Sequence, residues 1–202
     1  EARRYGKTEV LADGKEFDYR KIPDYDISML DQNTSYVHLT SNNTLYGTRW
    51  HKFPYTNDIP LVADSTSDIL SREMDYSLFG VVYAGLQKNL GIPGTALVVV
   101  REDLLGNALP ETPKLLDYSL IDESQSILNT INVFAVYVAR LVLEWVKEQG
   151  GIPEMEKLAE QKSGLLYQIL DDSDFYIAVA DPDHRSTMNV SFHLGQEKLL
   201  QK

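Results

Sequence analysis

Four short apolar runs constrain this chain more than anything else in it. They cover 36–40, 60–64, 80–86 and 95–101, are rich in β-branched residues, and are almost uninterrupted by polar ones. Runs of that length without polar alternation predict strands covered on both faces, as in parallel sheets flanked by helices. Two of the links are short, so the sheet is expected to be mixed. Gly91-Ile92-Pro93-Gly94 reads as the turn between the third and fourth runs. Residues 130–149 read as a helix that is apolar almost all round and therefore largely buried, with Arg140 and Glu144 placed to pair on one face. Gly150-Gly151-Ile152-Pro153 ends that helix and makes a hinge. Beyond it the pattern predicts a helix over 153–170 and strands over 175–180 and 185–192, while 103–128, with Pro110 and Pro113, reads as loop. The fold class is α/β: a mixed, mostly parallel sheet with flanking helices in a partial large domain over 1–152, and the start of a small α/β domain over 153–202.

Composition narrows the function classes. With 202 residues and 43% hydrophobic content the chain can bury one sizeable core. Its net charge of −11 and lack of a basic stripe argue against nucleic acid as a partner. It has no cysteine, which removes disulfides, thiolate metal sites and a cysteine nucleophile, and is compatible with a reducing cytosol. The four histidines, His38, His51, His184 and His193, form no metal-ligand spacing, so no metal site is expected. The longest apolar region, 133–146, carries Arg140 and Glu144 and is too short to span a bilayer, so no membrane is expected either. The opening residues do not read as a signal peptide, and 197–202 read as a helix cut short, so an internal piece of a longer protein is expected.

Chemistry concentrates where the apolar runs stop. The third run ends on Ala84-Gly85, and Lys88 follows between Gln87 and Asn89. An ammonium is costly to desolvate unless it is paired or chemically committed. A Schiff base to an aldehyde cofactor is one such commitment, because it removes the permanent charge. Asp64 ends the second run, and its plain reading is a helix N-cap with 65–71 beginning the helix. Thr44, within His38-Leu39-Thr40-Ser41-Asn42-Asn43-Thr44-Leu45-Tyr46-Gly47, reads plainly as part of a polar turn after a strand. Asn129 and Thr130 read plainly as the N-cap of the apolar helix.

These segments together resemble the phosphoserine aminotransferase family, pyridoxal-phosphate enzymes of class V aminotransferase type with the fold-type-I architecture. The resemblance rests on Tyr83-Ala84-Gly85-x-Gln87-Lys88-Asn89, on the His38 to Gly47 segment, on 59–64 with Leu70-Ser71-Arg72, on 98–105, on Asn129-Thr130, and on Arg185-Ser186-x-Met188-Asn189-Val190. The last string points to the phosphoserine enzymes rather than to class V relatives generally. The resemblance implies that Lys88 holds pyridoxal 5'-phosphate and acts as general base and acid. It implies that Asp64 keeps the pyridine nitrogen protonated, that Thr44 bonds the phenolic oxygen, and that Gln87 touches the cofactor phosphate. Asn129 and Thr130 would reach the cofactor phosphate of the other subunit of a homodimer, helix N-termini being suited to anions.

The implied reaction is transfer of an amino group from glutamate to 3-phosphohydroxypyruvate in serine biosynthesis, in the cytoplasm, with a related phosphorylated oxo acid of pyridoxine synthesis as a second substrate. The glycine-rich phosphate turn, the aromatic stacked on the cofactor ring and the substrate-binding arginines of such enzymes have no counterpart in this sequence. Two alternatives stand beside this reading. One is another class V enzyme, such as a serine–glyoxylate aminotransferase or a desulfurase. The other is a non-catalytic piece that keeps the fold.

Overall fold

The computed structural model describes residues 2–31 and 33–195, so the helical ending expected at 197–202 lies outside the described residues. In chain order the strands are β1 (Val37–Thr40), β2 (Asn42–Asn43), β3 (Thr48–Arg49), β4 (Leu61–Asp64), β5 (Val81–Gly85), β6 (Ala96–Val100), β7 (Tyr176–Ala178) and β8 (Phe192–Leu194). The α-helices are α1 (Tyr118–Glu123), α2 (Val133–Glu148) and α3 (Ile152–Asp171). The chain forms two compact units, one of 36–41 with 60–159 and one of 1–35, 42–59 and 160–202.

The first unit is built on a four-stranded sheet in the order β1-β4-β5-β6. All four apolar runs are strands of it. β1, β4 and β5 run parallel, and β6 returns antiparallel to β5 after the Gly91 to Gly94 turn, so the sheet is mixed as expected. One face carries the core: Leu39, Leu61, Ala63, Val82 and Ala84 alternate inward, with Ile69 and Phe79 against them. The expectation of cover on both faces fails among the described residues. β1 alternates buried Leu39 with exposed His38 and Thr40, and Leu97, Val98 and Val99 of β6 are exposed.

α2 departs from the sequence reading in two ways. It begins at Val133 rather than at residue 130, and its cap is Asn132, whose side chain accepts from the Ala135 N–H at 3.1 Å. Asn129 and Thr130 are exposed residues before that cap, so neither is the capping residue. Nor is α2 largely buried: only Ala135 is fully enclosed, while Phe134 is 65% and Trp145 51% exposed. An all-round apolar helix has more faces than the described residues cover. Arg140 and Glu144 do pair, at 2.7 Å. Gly150 and Gly151, both at positive φ, end the helix at the Gly-Gly-x-Pro break. The loop stretch 103–128 holds the short α1, capped by Asp117 through the Ser119 N–H. Among the described residues no helix is long and apolar enough to cross a membrane.

In the second unit β2 and β3 form a two-stranded sheet, as do β7 and β8. The turn between β2 and β3 uses Gly47 at φ 72°, where a side chain would press on Ser191. Segment 185–191 holds this turn: Asn189 donates to the Thr44 carbonyl at 2.8 Å, Ser191 to the Leu45 carbonyl at 2.9 Å, and the Ser186 N–H to the Gly47 carbonyl at 2.8 Å. The strand expected over 185–192 is not formed there. The Ser186 hydroxyl accepts from the Met188 and Asn189 N–H groups, which takes those donors out of any ladder, and β8 begins only at Phe192.

Candidate active site

The carboxyl ends of three parallel strands lie at one edge of the first unit's sheet. Thr40 of β1 is in register with Asp64 of β4, and Asp64 with Tyr83 of β5. β5 ends two residues later at Gly85, and the chain turns through Leu86 and Gln87 to Lys88. Open α/β sheets bind their ligands at this edge, outside the carboxyl ends of the strands.

Asp64 does not cap a helix. Its Oδ1 accepts from the Thr66 N–H at 2.9 Å, forming a turn rather than a first helical step. Residues 65–71 stay in turns because Leu70 adopts φ 56°, a left-handed conformation that stops propagation. The turn is itself tied to the next strand, since the Gly85 N–H donates to the Thr66 hydroxyl at 3.1 Å. Asp64 is thus fixed at the end of one strand by a residue bonded to the end of its neighbour.

Beneath this edge lies a buried polar cluster. The Asp68 side chain is 0% exposed and pairs with Arg72, 8% exposed, at 3.4 Å. Ser41 bonds the Asp68 carboxylate, and its Oγ also lies 2.9 Å from Ser65 Oγ. A serine has one proton to give, so Ser41 gives it to the carboxylate and receives from Ser65. The Ser41 backbone N–H donates to the Asp64 carbonyl at 2.9 Å. The cluster therefore clamps the peptide of Asp64 while leaving its carboxylate at the surface of the sheet edge.

Lys88 and Gln87 are exposed. Gln87 folds back over the strand end, so that a Cβ on Gly85 would overlap the Gln87 carboxamide. Asn89 turns inward and donates to the Ile69 carbonyl at 2.5 Å, anchoring the lysine loop from its far side. The loop also meets α2: a side chain on Gly91 would press on Val138, and one on Gly94 would meet Asn132. Asn129 and Thr130 precede the cap of that helix. Asp64, Gln87 and Lys88 thus share one strand-end region of the first unit. Thr44 belongs to the second unit, in the turn between β2 and β3, with its carbonyl held by Asn189.

Two residues at this edge received no role from the sequence. His38 Nε2 lies 3.0 Å from the Tyr83 hydroxyl, and Tyr83 stands opposite Asp64 in the register of β4 and β5. Although the residue is exposed overall, partial desolvation of the imidazole lowers the pKa of His38, with the charge of Asp64 opposing it. Burial raises the pKa of the Tyr83 hydroxyl, and the charge of Asp64 raises it further, so both hold the phenol neutral. The legible signal was the strand period: His38, Thr40, Asp64 and Tyr83 fall on one face once the register is known. Among the described residues no cluster of His, Asp and Glu is set to hold a metal ion.

Comparison with known proteins agrees with this architecture. The family model described as aminotransferase class-V matches residues 13–202. A phosphoserine aminotransferase of Ectopseudomonas mendocina is 47% identical over 199 residues, covering 98% of this chain and 55% of the relative. The chain thus spans about half the length of the curated relatives it matches. A solved phosphoserine aminotransferase, in which radiation damage of the Schiff base was followed, superposes with a TM-score of 0.94 at 42% identity, covering 99% of this chain and 56% of the other. The pyridoxal-phosphate-bound phosphoserine aminotransferase of Trichomonas vaginalis superposes with a TM-score of 0.82 at 28% identity, covering 89% and 52%. The mixed, mostly parallel sheet with its helices is the fold-type-I α/β architecture of these structures. The chain belongs to the class-V aminotransferase family.

Proposed function

We propose that the full-length protein is a pyridoxal-phosphate-dependent phosphoserine aminotransferase, exchanging amino groups between glutamate and 3-phosphohydroxypyruvate, with 4-phosphohydroxythreonine as a related product. The observation that carries the reading is Asp64 at the carboxyl end of a central strand, clamped from below, in register with the strand that leads to Lys88. When bound, the cofactor supplies an electron sink that accepts the electron pair freed at the substrate carbon.

The donor set fits that group. Asp64 is a fixed carboxylate for a pyridine nitrogen. At about 4 Å and an effective dielectric near 20, such a pair gains roughly 4 kcal/mol, or about 3 pKa units, enough to keep a weakly basic ring cationic at neutral pH. Lys88 supplies the amine that holds the cofactor and moves a proton, as base and then as acid, at the substrate carbon. Ala84 and Gly85 leave the strand end open for close approach, and Gln87 contributes an amide to the phosphate. Thr44 bonds the phenolic oxygen. Asn129 and Thr130 serve the phosphate of the partner's site, which makes the working unit a homodimer. The compartment is the cytoplasm, and in the intact enzyme 1–152 belong to the large domain and 153–202 to the small one. The substrate assignment is supported by the 47% identical phosphoserine aminotransferase and by Arg185-Ser186-x-Met188-Asn189-Val190.

The test is a substrate profile of the full-length protein with glutamate as donor. Turnover of 3-phosphohydroxypyruvate well above that of glyoxylate, lost in Lys88→Ala, is the expected result. Preference for glyoxylate, or desulfuration of cysteine, would assign the chain to another class V activity. Full turnover in Lys88→Ala would remove Lys88 from the mechanism.

A further inference from the structure

We propose that Asn89 is a positioning residue for Lys88: its carboxamide fastens the lysine loop to the turn that follows Asp64, so that one turn sets where both residues stand. The loop is a single turn over 86–90, between the end of β5 and Gly91. Leu86 and Leu90 are buried, at 5% and 3% exposed, while Gln87 and Lys88 between them are exposed. Apolar burial holds such a loop down but is non-directional, so it does not fix how the loop is rotated. Hydrogen bonds are directional. The near end of the loop is held by the Gly85 N–H, which donates to the Thr66 hydroxyl at 3.1 Å, and by the Leu86 N–H, which donates to the Thr95 carbonyl at 3.2 Å. The far end is held by Asn89, whose Nδ2 donates to the Ile69 carbonyl at 2.5 Å.

The Ile69 carbonyl is available for a physical reason. The Asp68 and Ile69 N–H groups both donate to the Ser65 carbonyl, at 3.1 and 2.8 Å, so the chain begins a helical turn. Leu70 then adopts φ 56° and stops it. Carbonyls in the last turn before a left-handed residue have no donor in the helix that would have followed, and need one from elsewhere. Asn89 supplies it from the neighbouring strand's loop. The left-handed Leu70 is costly for a residue with a side chain, and such conformations persist where the surroundings hold them. Ile69 is itself 2% exposed, so the acceptor is set in the core. The same turn begins with the Thr66 N–H on Asp64 Oδ1 at 2.9 Å. Asp64 and Lys88 are therefore referenced to one piece of backbone, at its start and its end.

The consequence rests on the functional reading above. There the Lys88 amine has to meet the same substrate carbon twice, as base and then as acid. The lysine side chain is long and flexible, so the placement of its Cα limits where the amine searches. A misplacement of about 1 Å at a reacting group costs up to about a hundredfold in rate. Asn89 adjoins Lys88 in the chain and controls that placement without contributing to the chemistry.

The experiment compares Asn89→Leu, which keeps the bulk without the donor, with Asn89→Gln, which keeps a carboxamide donor, in the full-length protein. Hydrogen exchange of the segment 85–91, followed by mass spectrometry without cofactor, is expected to quicken in Asn89→Leu and to quicken less in Asn89→Gln. With pyridoxal phosphate bound, Asn89→Leu is expected to lower kcat by about one to two orders of magnitude at nearly unchanged KM for glutamate, the signature of lost geometry rather than lost binding. The induced circular dichroism of the cofactor's visible band should fall with it, and Asn89→Gln should retain more of both. Equal losses in the two variants would show that packing and not the donor matters, and overturn the proposal. A lowered melting temperature with unchanged kcat and dichroism would overturn it as well, by leaving Asn89 a purely structural role. If the wild type takes up no pyridoxal phosphate at Lys88, the functional reading fails separately, and the exchange of 85–91 still decides whether Asn89 holds the loop.

Discussion

Replacing Asp68 by asparagine should destabilise this protein far more than a change of one atom in size implies. The Asp68 side chain is 0% exposed, and it faces Arg72, which is 8% exposed, at 3.4 Å. Its carboxylate also receives the Ser41 hydroxyl. The amide keeps the shape but takes the negative charge from opposite a buried guanidinium, and one of its two faces becomes a donor. Breaking a buried ion pair in this way costs about 3–5 kcal/mol. Ser41→Ala removes one hydrogen bond to a charged group and should cost about 1.5–3 kcal/mol. The two share a carboxylate, so the double variant should lose less than the sum. Urea unfolding of the full-length protein measures this as a fall in the midpoint at unchanged slope. Because Ser41 also grips the Asp64 peptide, cofactor should leave faster from both variants at temperatures where they remain folded. A loss under about 1 kcal/mol for Asp68→Asn would refute the reasoning, because no buried pair of this kind is that cheap to break.

Three further outcomes follow from particular contacts. Asn132→Ala should cost about 1 kcal/mol by uncapping α2, while Asn129→Ala and Thr130→Ala should stay within about 0.5 kcal/mol, all by thermal melts. Gly85→Ala places a Cβ where the Gln87 carboxamide lies. The glutamine side chain is flexible and can swing away, so the melt should hardly move while the equilibrium affinity for pyridoxal phosphate falls; a large stability loss with unchanged affinity would contradict this. Asp171 is held below the usual carboxylate range chiefly by its hydrogen bonds from Arg185, at 2.5 and 2.7 Å. Its folded pKa lies below its unfolded value near 3.9, so its contribution is present above that pH and is lost as pH falls through the lowered folded value. Asp171→Asn should flatten that acid limb of the stability profile.

The sheet was legible because its strands are short β-branched runs bounded by polar or small residues, and each run of that type became a strand. The lysine loop was legible because a glycine and then a lysine interrupt an apolar run. What stayed hidden has identifiable physical causes. The Asn132 cap lies beyond Asn129 and Thr130, and three capping residue types within four positions cannot be ranked from sequence. The helix expected after Asp64 is lost to competition, since the Asp64 side chain captures the Thr66 N–H and Leu70 turns left-handed. The expected strand over 185–192 is lost because the Ser186 hydroxyl takes two of its N–H donors. Burial of α2 and of β6 was overestimated because hydrophobicity records what a surface prefers, not what stands opposite it. His38 and Tyr83 joined the region only once register placed them on the sheet face that carries Asp64, and register is not written in any one strand.

The central claim is that Lys88 is the residue that carries pyridoxal phosphate. The most direct test is borohydride reduction of the full-length protein in pyridoxal phosphate, followed by peptide mass spectrometry. A pyridoxyl adduct confined to Lys88 is the predicted result. An adduct fixed on another lysine, or spread over the surface lysines with none enriched at Lys88, would contradict it.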